Sequence, residues 1–389
     1  MKTFMFPGQG SQAKGMGGSL FDELPRMTET ADRILGYSIK ELCLEDPRNQ
    51  LNRTEFTQPA LYVVNALSCY KKLADSGSRP DYLAGHSLGE FNALLAAECF
   101  DFETGLRLVQ KRGEVMSRAP AGAMAAVVNV TKQEIEGILA SHELNGIDLA
   151  NDNTPSQIVI SGPPDEIVRA ESVFQQGKML YYPLNTSGAF HSRSMRAAQE
   201  EFGRYLAGFQ LAELKIPVMA NATARPYRNE AILETLTSQV ASTVRWCESV
   251  QYLLAVATER GETMLFDEVG YGEVLTKLSK TIQRQTPDAV LNAIVEENRQ
   301  ARQLGDSTLQ ETAAPAPERD DRAGRPVAVG EKIAAWNQRY PVGTRVKSSI
   351  ADYAELETRT QAVVLFGHRA AIYMKGYNGY FDLDEVVPV

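Results

Sequence analysis

A serine set between two glycines is the feature of this chain that could do covalent chemistry. Gly85-His86-Ser87-Leu88-Gly89 follows the apolar run Tyr82-Leu83-Ala84 and precedes an Ala- and Leu-rich helical pattern from Glu90 to Glu98. A strand, a turn too tight for a Cβ at either flank, and a helix together make a nucleophile elbow. Such a turn holds the serine hydroxyl above a sheet, beside the positive end of the new helix. The Leu88 backbone N–H then points where an oxyanion would form. The other reading of these residues is a tight turn with a solvated serine.

A serine nucleophile needs a base within reach. The chain has 4 histidines. His86 is fixed in the turn itself and badly aimed at its neighbour's proton. His142 falls at a polar helix end and His368 in the tail. His191 lies in the small-residue stretch Asn185-Thr186-Ser187-Gly188-Ala189-Phe190-His191-Ser192, at a loop-to-helix junction; it could be a capping or core histidine, and by elimination it is the favoured general base. Between Ser87 and His191 the candidate acids Asp148, Asp152 and Asp165 all fall in a segment that reads as an insertion. A Ser–His dyad is therefore expected, its imidazole oriented by a backbone carbonyl or an amide side chain.

Two further groups could serve this site. Pro7-Gly8-Gln9-Gly10-Ser11-Gln12 follows the first strand and lacks both the Walker lysine and the GxGxxG spacing. Gln9 or a neighbour could supply a second oxyanion donor, or the stretch could be a plain glycine turn. Arg112 lies on the helix after the elbow helix. Its guanidinium fork could hold a carboxylate bidentately, or it could be a solvated helix arginine.

The elements that would position these residues follow from periodicity. Strand-like residues 3–6 open the chain, and 20–55 are polar and helical in tendency. A helix opens at Thr57 and runs to about Asp75; another spans 101–118. Strands at 124–130, 147–151, 157–161 and 178–183 interleave with helices at 132–141 and 164–176. That βαββαβ order is ferredoxin-like, whereas the alternative is a continuation of the main sheet. A loop-to-helix stretch reaches Leu206, with a strand at 215–220, helices at about 230–241 and 247–259, a strand at 263–268 and a helix at 273–284. The division is a large subdomain at 1–122 and 187–299, a small one at 123–186, a linker at 300–329 poor in large apolar residues, and a β-rich tail at 330–389. Tail strands are expected at Thr344–Lys347, Gln361–Phe366, Ala371–Lys375 and Tyr380–Leu383.

Composition narrows the class. At 389 residues, 43% hydrophobic and 23% charged, the chain has the balance of a globular protein with a sizeable core. No apolar run is long enough to span a bilayer, and Met1 leads straight into a strand rather than a signal peptide, so no membrane is expected. A net charge of -9 argues against a general nucleic-acid binder. Cys43, Cys69, Cys99 and Cys247 are scattered without CxxC spacing, which suits reduced thiols in a cytoplasm. No metal-ligand constellation stands out.

Taken in chain order, Pro-Gly-Gln-Gly-Ser-Gln, Gly-His-Ser-Leu-Gly, the run from Asn151 to Gly162, Gly-Ala-Phe-His-Ser and Val244-Arg245-Trp246 carry a resemblance. Over about residues 1–285 the chain resembles malonyl-CoA:acyl carrier protein transacylases, most of all the free-standing acyltransferases that serve trans-acyltransferase polyketide synthases. The resemblance implies an α/β-hydrolase-like large subdomain with an inserted ferredoxin-like small one. It implies Ser87 as nucleophile, His191 as base, and Gln9 with the Leu88 amide as oxyanion hole. Arg112 would pair with the malonyl carboxylate, and a backbone carbonyl near Gln239 would hold the histidine. Phe190, Asn153 and Gln239 join Arg112 around the substrate.

In related polyketide acyltransferases, Phe before the histidine accompanies malonyl and Ser accompanies methylmalonyl. Phe190 would fill the space of an α-methyl, a discrimination of about 1–3 kcal/mol. The implied partners are malonyl-CoA, as substrate, and an acyl carrier protein of a polyketide or fatty acid synthase; no cofactor or metal is implied. Arg193, Arg196, Arg225 and Arg228 are candidates for a rim facing an acidic carrier, or ordinary solvated charges. The tail looks like an extension of some discrete acyltransferases. Three rivals are a trans-acting acyl hydrolase, a non-catalytic docking protein and a generic esterase. In the hydrolase subgroup the arginine is commonly replaced, so Arg112 weighs against it. An intact Ser87, His191 and Gln9 weigh against the docking protein.

Overall fold

The computed structural model describes residues 1–76, 79–303, 329–348, 356–365, 369–375, 380–383 and 386–389. The chain enters the core at once: in β1 (Lys2–Phe6), Thr3, Phe4, Met5 and Phe6 are all buried. Three short helices follow, α1 (Leu20–Glu23), α2 (Pro25–Leu35) and α3 (Ile39–Leu44), and then the long, largely buried α4 (Thr54–Ser76). Next come β2 (Tyr82–Gly85), α5 (Gly89–Ala96) and α6 (Phe102–Ser117). The Asp101 side chain caps α6 by accepting from Thr104 N, and the helix buries Leu108, Val109, Arg112 and Met116.

A second group of elements follows: β3 (Ala123–Val128), α7 (Lys132–Ser141), β4 (Asp148–Thr154), β5 (Gln157–Gly162), α8 (Pro164–Phe174) and β6 (Leu180–Pro183). The chain then runs through α9 (Arg196–Leu206), β7 (Met219–Ala220), β8 (Arg225–Pro226), α10 (Ile232–Ser238), α11 (Trp246–Glu259), β9 (Leu265–Glu268), α12 (Val274–Gln285) and α13 (Asp288–Gln303).

Two sheets matter for the site. β2, β1 and β9 lie side by side in that order, all parallel, and Val218 adds a parallel bridge at Leu83. Parallel strands need helical crossovers, and α4 supplies the one between β1 and β2. The second sheet is antiparallel, in the order β4-β5-β3-β6. Ile135 and Leu139 of α7 and Ile167, Ala170 and Phe174 of α8 pack with Val127, Ile158 and Ile160 into a core of its own. Its outer strand β4 is laced to the other layer: Val244 N donates to Ala150 O and Asp152 N to Val244 O, both at 2.9 Å.

Some elements depart from the sequence reading. The strand expected at 215–220 shrinks to Met219–Ala220, since Pro217 has no N–H to give a ladder. The helix expected from Thr57 begins at Thr54. Residues 300–303, expected as linker, are the end of α13. The Arg and Gln content that reads as linker is the helix's outer face. Val295 is buried, and Arg299 and Arg302 both pair with Glu259 of α11. The rest of the expected linker, 304–328, lies outside the described residues.

The tail opens with a helix that a strand-like reading missed, α14 (Val329–Arg339). It is followed by β10 (Arg345–Ser348), β11 (Leu356–Glu357), β12 (Val363–Leu365), β13 (Arg369–Tyr373), β14 (Tyr380–Asp382) and β15 (Val386–Pro388). They form two three-stranded antiparallel sheets, β11-β10-β15 and β12-β13-β14. Ile333 and Trp336 of α14 pack against their shared core of Val346, Leu356, Ile372, Met374 and Val386.

Candidate active site

At the end of β2 the backbone turns so tightly that side chains are excluded. A Cβ on Gly85 would come within 2.0 Å of Gly89 C, and one on Gly89 within 2.0 Å of Phe6 O. Ser87 between them sits at φ 52°, a left-handed conformation that a β-carbon disfavours. Two amide side chains hold it there. Asn221 Oδ1 accepts from Ser87 N at 2.7 Å, and Gln239 Nε2 donates to Ser87 O at 2.7 Å. Asn221 also donates through Nδ2 to Gly85 O, at 2.7 Å.

The hydroxyl of Ser87 lies 2.7 Å from His191 Nε2. On the other side of the ring, Nδ1 meets two carbonyl oxygens, Gln239 O and Ser242 O, each at 3.1 Å. Carbonyls only accept, so Nδ1 carries the proton and Nε2 is left as an acceptor for the serine O–H. Burial, and next the charge of Arg112, lower the pKa of His191 to about 3. The imidazole is therefore neutral and ready to take a proton. Among the described residues no carboxylate bonds to the ring: Asp148 is bound to Arg193, and the two backbone carbonyls occupy the place of a triad acid.

Arg112 is buried beneath the serine. One amino group, Nη1, donates to Gln58 Oε1 at 2.8 Å; Nη2 donates to Gln239 Oε1 at 2.9 Å and to Ser87 Oγ at 3.0 Å. Nε has no partner, and among the described residues no carboxylate pairs with this guanidinium. Burial lowers its pKa to about 10, which still leaves it charged at neutral pH.

Two backbone donors lie at the elbow. Leu88 N opens α5 at the positive end of its dipole and takes no hydrogen bond among the described residues. The loop after β1 packs on the elbow so closely that a Cβ on Gly8 would lie 2.3 Å from His86 O and 3.6 Å from Leu88 N. That contact brings the next peptide, at Gln9, beside the elbow, and the Gln9 N–H is likewise without a partner. The Gln9 side chain faces Thr54 Oγ1 at 3.5 Å. It lines a polar cleft of about 500 Å³ together with Asn52, Arg118, Asn185 and Thr186. A nucleophile, a neutral base, two N–H groups and a buried cation can carry out acyl transfer through an acyl-serine.

The acyl transferase domain family matches residues 3–267. This chain belongs to that family. The polyketide biosynthesis malonyl CoA-acyl carrier protein transacylase BaeC of Bacillus velezensis is 53% identical over 288 residues, covering 74% of this chain and 98% of that one. The polyketide biosynthesis protein PksE of Bacillus subtilis is 52% identical over 287 residues, or 73% of this chain, and there the match spans only 37% of the relative's length. Among solved structures, the malonyl CoA-acyl carrier protein transacylase of Burkholderia pseudomallei superposes with a TM-score of 0.73 at 62% identity, covering 74% of this chain and 99% of that one.

Within this acyl transferase the remaining expected residues fall as follows. Phe190 is buried in the large core, its ring edge against Gly188. Asn153, expected at the substrate, engages His86: Oδ1 and Nε2 lie 2.9 Å apart. Gln239 uses both its backbone oxygen and its side chain to organise other groups. Of the arginines offered as a carrier rim, Arg193 pairs with Asp148, Arg225 with Glu297 and Arg228 with Glu230, which leaves Arg196 the least compensated. Sequence reasoning missed Gln58, Asn221, Tyr227 and Glu90. Glu90 alone carried a local signal, a carboxylate directly after the elbow glycine, and there it reads as an ordinary first-turn acid of a helix.

Among the described residues no helix is long and apolar enough to cross a membrane, and no His, Cys, Asp and Glu cluster could hold a metal. The cysteines are all free thiols.

Proposed function

We propose that this acyl transferase moves a malonyl group from malonyl-CoA to the phosphopantetheine thiol of an acyl carrier protein, serving a polyketide synthase in trans. One observation carries the choice of acyl group. A charged guanidinium buried without an ion pair is costly, and cost of that kind is tolerated where an anionic ligand is to be received. Arg112 is in that state, and it touches the hydroxyl that would carry the acyl group. A malonyl unit on Ser87 ends in a carboxylate two carbons from the ester carbonyl, so its free end would meet the guanidinium.

The cycle is ping-pong. Ser87 Oγ attacks the thioester carbon as His191 Nε2 takes its proton. The carbonyl oxygen becomes negative and is met by the Leu88 and Gln9 N–H groups. Collapse breaks the C–S bond, and the sulfur leaves as CoA thiol with the proton from His191. The carrier's thiol then gives its proton to His191 and its sulfur attacks the ester; collapse breaks the C–O bond to Ser87, and His191 returns the proton to the departing Oγ, leaving the malonyl group on the carrier's sulfur. Phe190, beside the histidine in sequence, disfavours an α-methyl. The parallel sheet with its elbow is read as an α/β-hydrolase-like subdomain and the four-stranded sheet as a ferredoxin-like one; free buried thiols suit a cytoplasmic enzyme.

Intact-mass spectrometry of the protein mixed with malonyl-CoA, methylmalonyl-CoA or acetyl-CoA tests this, with a carrier protein added afterwards. The expected result is a malonyl adduct that requires Ser87, weakens in Arg112→Ala and moves to the carrier. Preferred acetyl loading with release to water would replace the reading with a hydrolase. No adduct from any thioester would favour a docking protein.

A further inference from the structure

The carboxylate that this site lacks beside its histidine is present one residue layer further in. Glu90, on the first turn of α5, is fully buried. Its Oε2 accepts from Gln239 Nε2 at 3.0 Å and from Asn221 N at 3.2 Å, and its Oε1 accepts from the Tyr227 hydroxyl. Both partners of Oε2 are the residues that clasp Ser87. Gln239 Nε2 holds Ser87 O, and Asn221 Oδ1 holds Ser87 N. Gln239 does two more things: its backbone oxygen accepts from His191 Nδ1, and its Oε1 accepts from Arg112.

We propose that Glu90 is a positioning residue for Ser87, His191 and Arg112, acting through Gln239 and Asn221. The argument is one of hydrogen-bond polarity. A glutamine amide has two faces of opposite sense, and only one arrangement suits this site. Its N–H₂ must face the acceptors Ser87 O and Glu90 Oε2, and its oxygen must face the donor Arg112. Ser87 O alone satisfies one N–H. Glu90 satisfies the other and so fixes which way the amide points. The same oxygen anchors Asn221, so the strained left-handed Ser87 is braced on its N–H and its C=O sides from a single buried carboxylate. Every group around Glu90 donates to it, which its two carboxyl oxygens fit and an apolar side chain would not.

This inference rests on the acyl-serine reading above, and its test separates the two. Glu90→Met keeps the volume and removes the acceptors; Glu90→Gln keeps an acceptor for Gln239 and Asn221 while its amide donates to Tyr227. The rate of Ser87 modification is measured with malonyl-CoA and, independently of any acyl preference, with a serine-reactive fluorophosphonate. Glu90→Met is expected to slow both reactions by about tenfold or more at saturation, with KM for malonyl-CoA changed less than about threefold, because buried donors are left unpaired beside the nucleophile. Glu90→Gln is expected to recover most of that loss. Wild-type rates in folded Glu90→Met, or Glu90→Gln as slow as Glu90→Met, would overturn the assignment.

Should Glu90→Met not accumulate as folded protein, Tyr227→Phe decides. It frees Glu90 Oε1, and a several-fold slowing of both reactions is expected; an unchanged rate would overturn the role. If the fluorophosphonate pattern holds while malonyl-CoA fails to load wild type, the malonyl reading is lost and Glu90 keeps its place.

Discussion

Ser87 and His191 both adopt left-handed backbone, at φ 52° and φ 57°, though neither is glycine. Asn221 and Gln239 hold the Ser87 backbone and two carbonyls hold the His191 ring, so the dyad geometry depends on groups that do no chemistry themselves. The electrostatic state of the pair follows from the same burial. An unfolded histidine takes up a proton near its ordinary value of 6.5, whereas His191 resists until about 3. The unfolded chain therefore binds more protons across that interval, and this residue makes stability fall as pH drops below 6.5.

Glu90 has the opposite sign: its folded pKa, raised by burial to about 7 from 4.5, makes the folded chain the better proton binder between those values. Its contribution declines as pH rises through that window. The His191 ring carbon signals in histidine-labelled protein are expected to stay constant from about pH 8 to about pH 5. A titration near the ordinary histidine value would contradict the neutral-base assignment. Arg112 gives a second test at this scale. A charge-assisted hydrogen bond contributes about 1.5–3 kcal/mol, so Arg112→Ala should slow malonyl loading by roughly 10- to 100-fold while acetyl loading loses much less. Arg112→Lys should recover little, because an ammonium cannot reproduce the fork that reaches Gln58, Gln239 and the substrate together. Single-turnover mass spectrometry reads both variants.

At the scale of elements, the elbow was legible in the sequence because its constraints are local. Gly85, Ser87 and Gly89 lie within five positions, and strand and helix patterns flank them directly. The βαββαβ order between Ala123 and Pro183 could be read for the same reason, since each strand and helix declares its own period. The brace around Ser87 was hidden. Glu90 meets Gln239 across 149 positions and Asn221 across 131, and no spacing rule links them. Helix α13 was not read as a helix, and its last residues were assigned to the linker, because its polar outer face resembles linker composition until Glu259 is seen opposite. Closeness of packing is also an element-level fact with a direct consequence. Gly89→Ala would drive a methyl into Phe6 O of β1, and no side-chain rotamer relieves a backbone contact. A loss of roughly 3 kcal/mol or more is expected, read as a drop in melting temperature or as failure to accumulate folded protein. An Ala variant that melts like wild type would mean that β1 and α5 are not packed in this register.

The whole molecule divides by its cores. Residues that surround the dyad belong to clusters built from residues 1–303, whereas the tail encloses a cluster of its own drawn from Ile333 to Val386. BaeC matches 74% of this chain along 98% of its own length, so a polypeptide of that extent without such a tail exists as a transacylase in its own right. The family match, too, ends at residue 267. A chain stopped after Gln303 would retain α13, whose Arg299 and Arg302 pair with Glu259, and would lose none of the residues that touch Ser87, His191 or Arg112. Its rate of malonyl loading from malonyl-CoA should equal that of the full chain within about twofold, and its melting transition should keep its midpoint within a few degrees. Calorimetry of the full chain should then show a second, smaller transition that the shortened chain lacks, because two cores that share no residues can melt separately. A shortened chain that loads malonyl tenfold more slowly, or a single transition that shifts strongly on truncation, would show instead that the tail supports the catalytic body. Transfer to a carrier protein, measured on the same pair, then isolates the tail's part in partner choice: equal loading with slower transfer assigns it to the carrier, and equal rates in both steps remove it from the catalytic cycle.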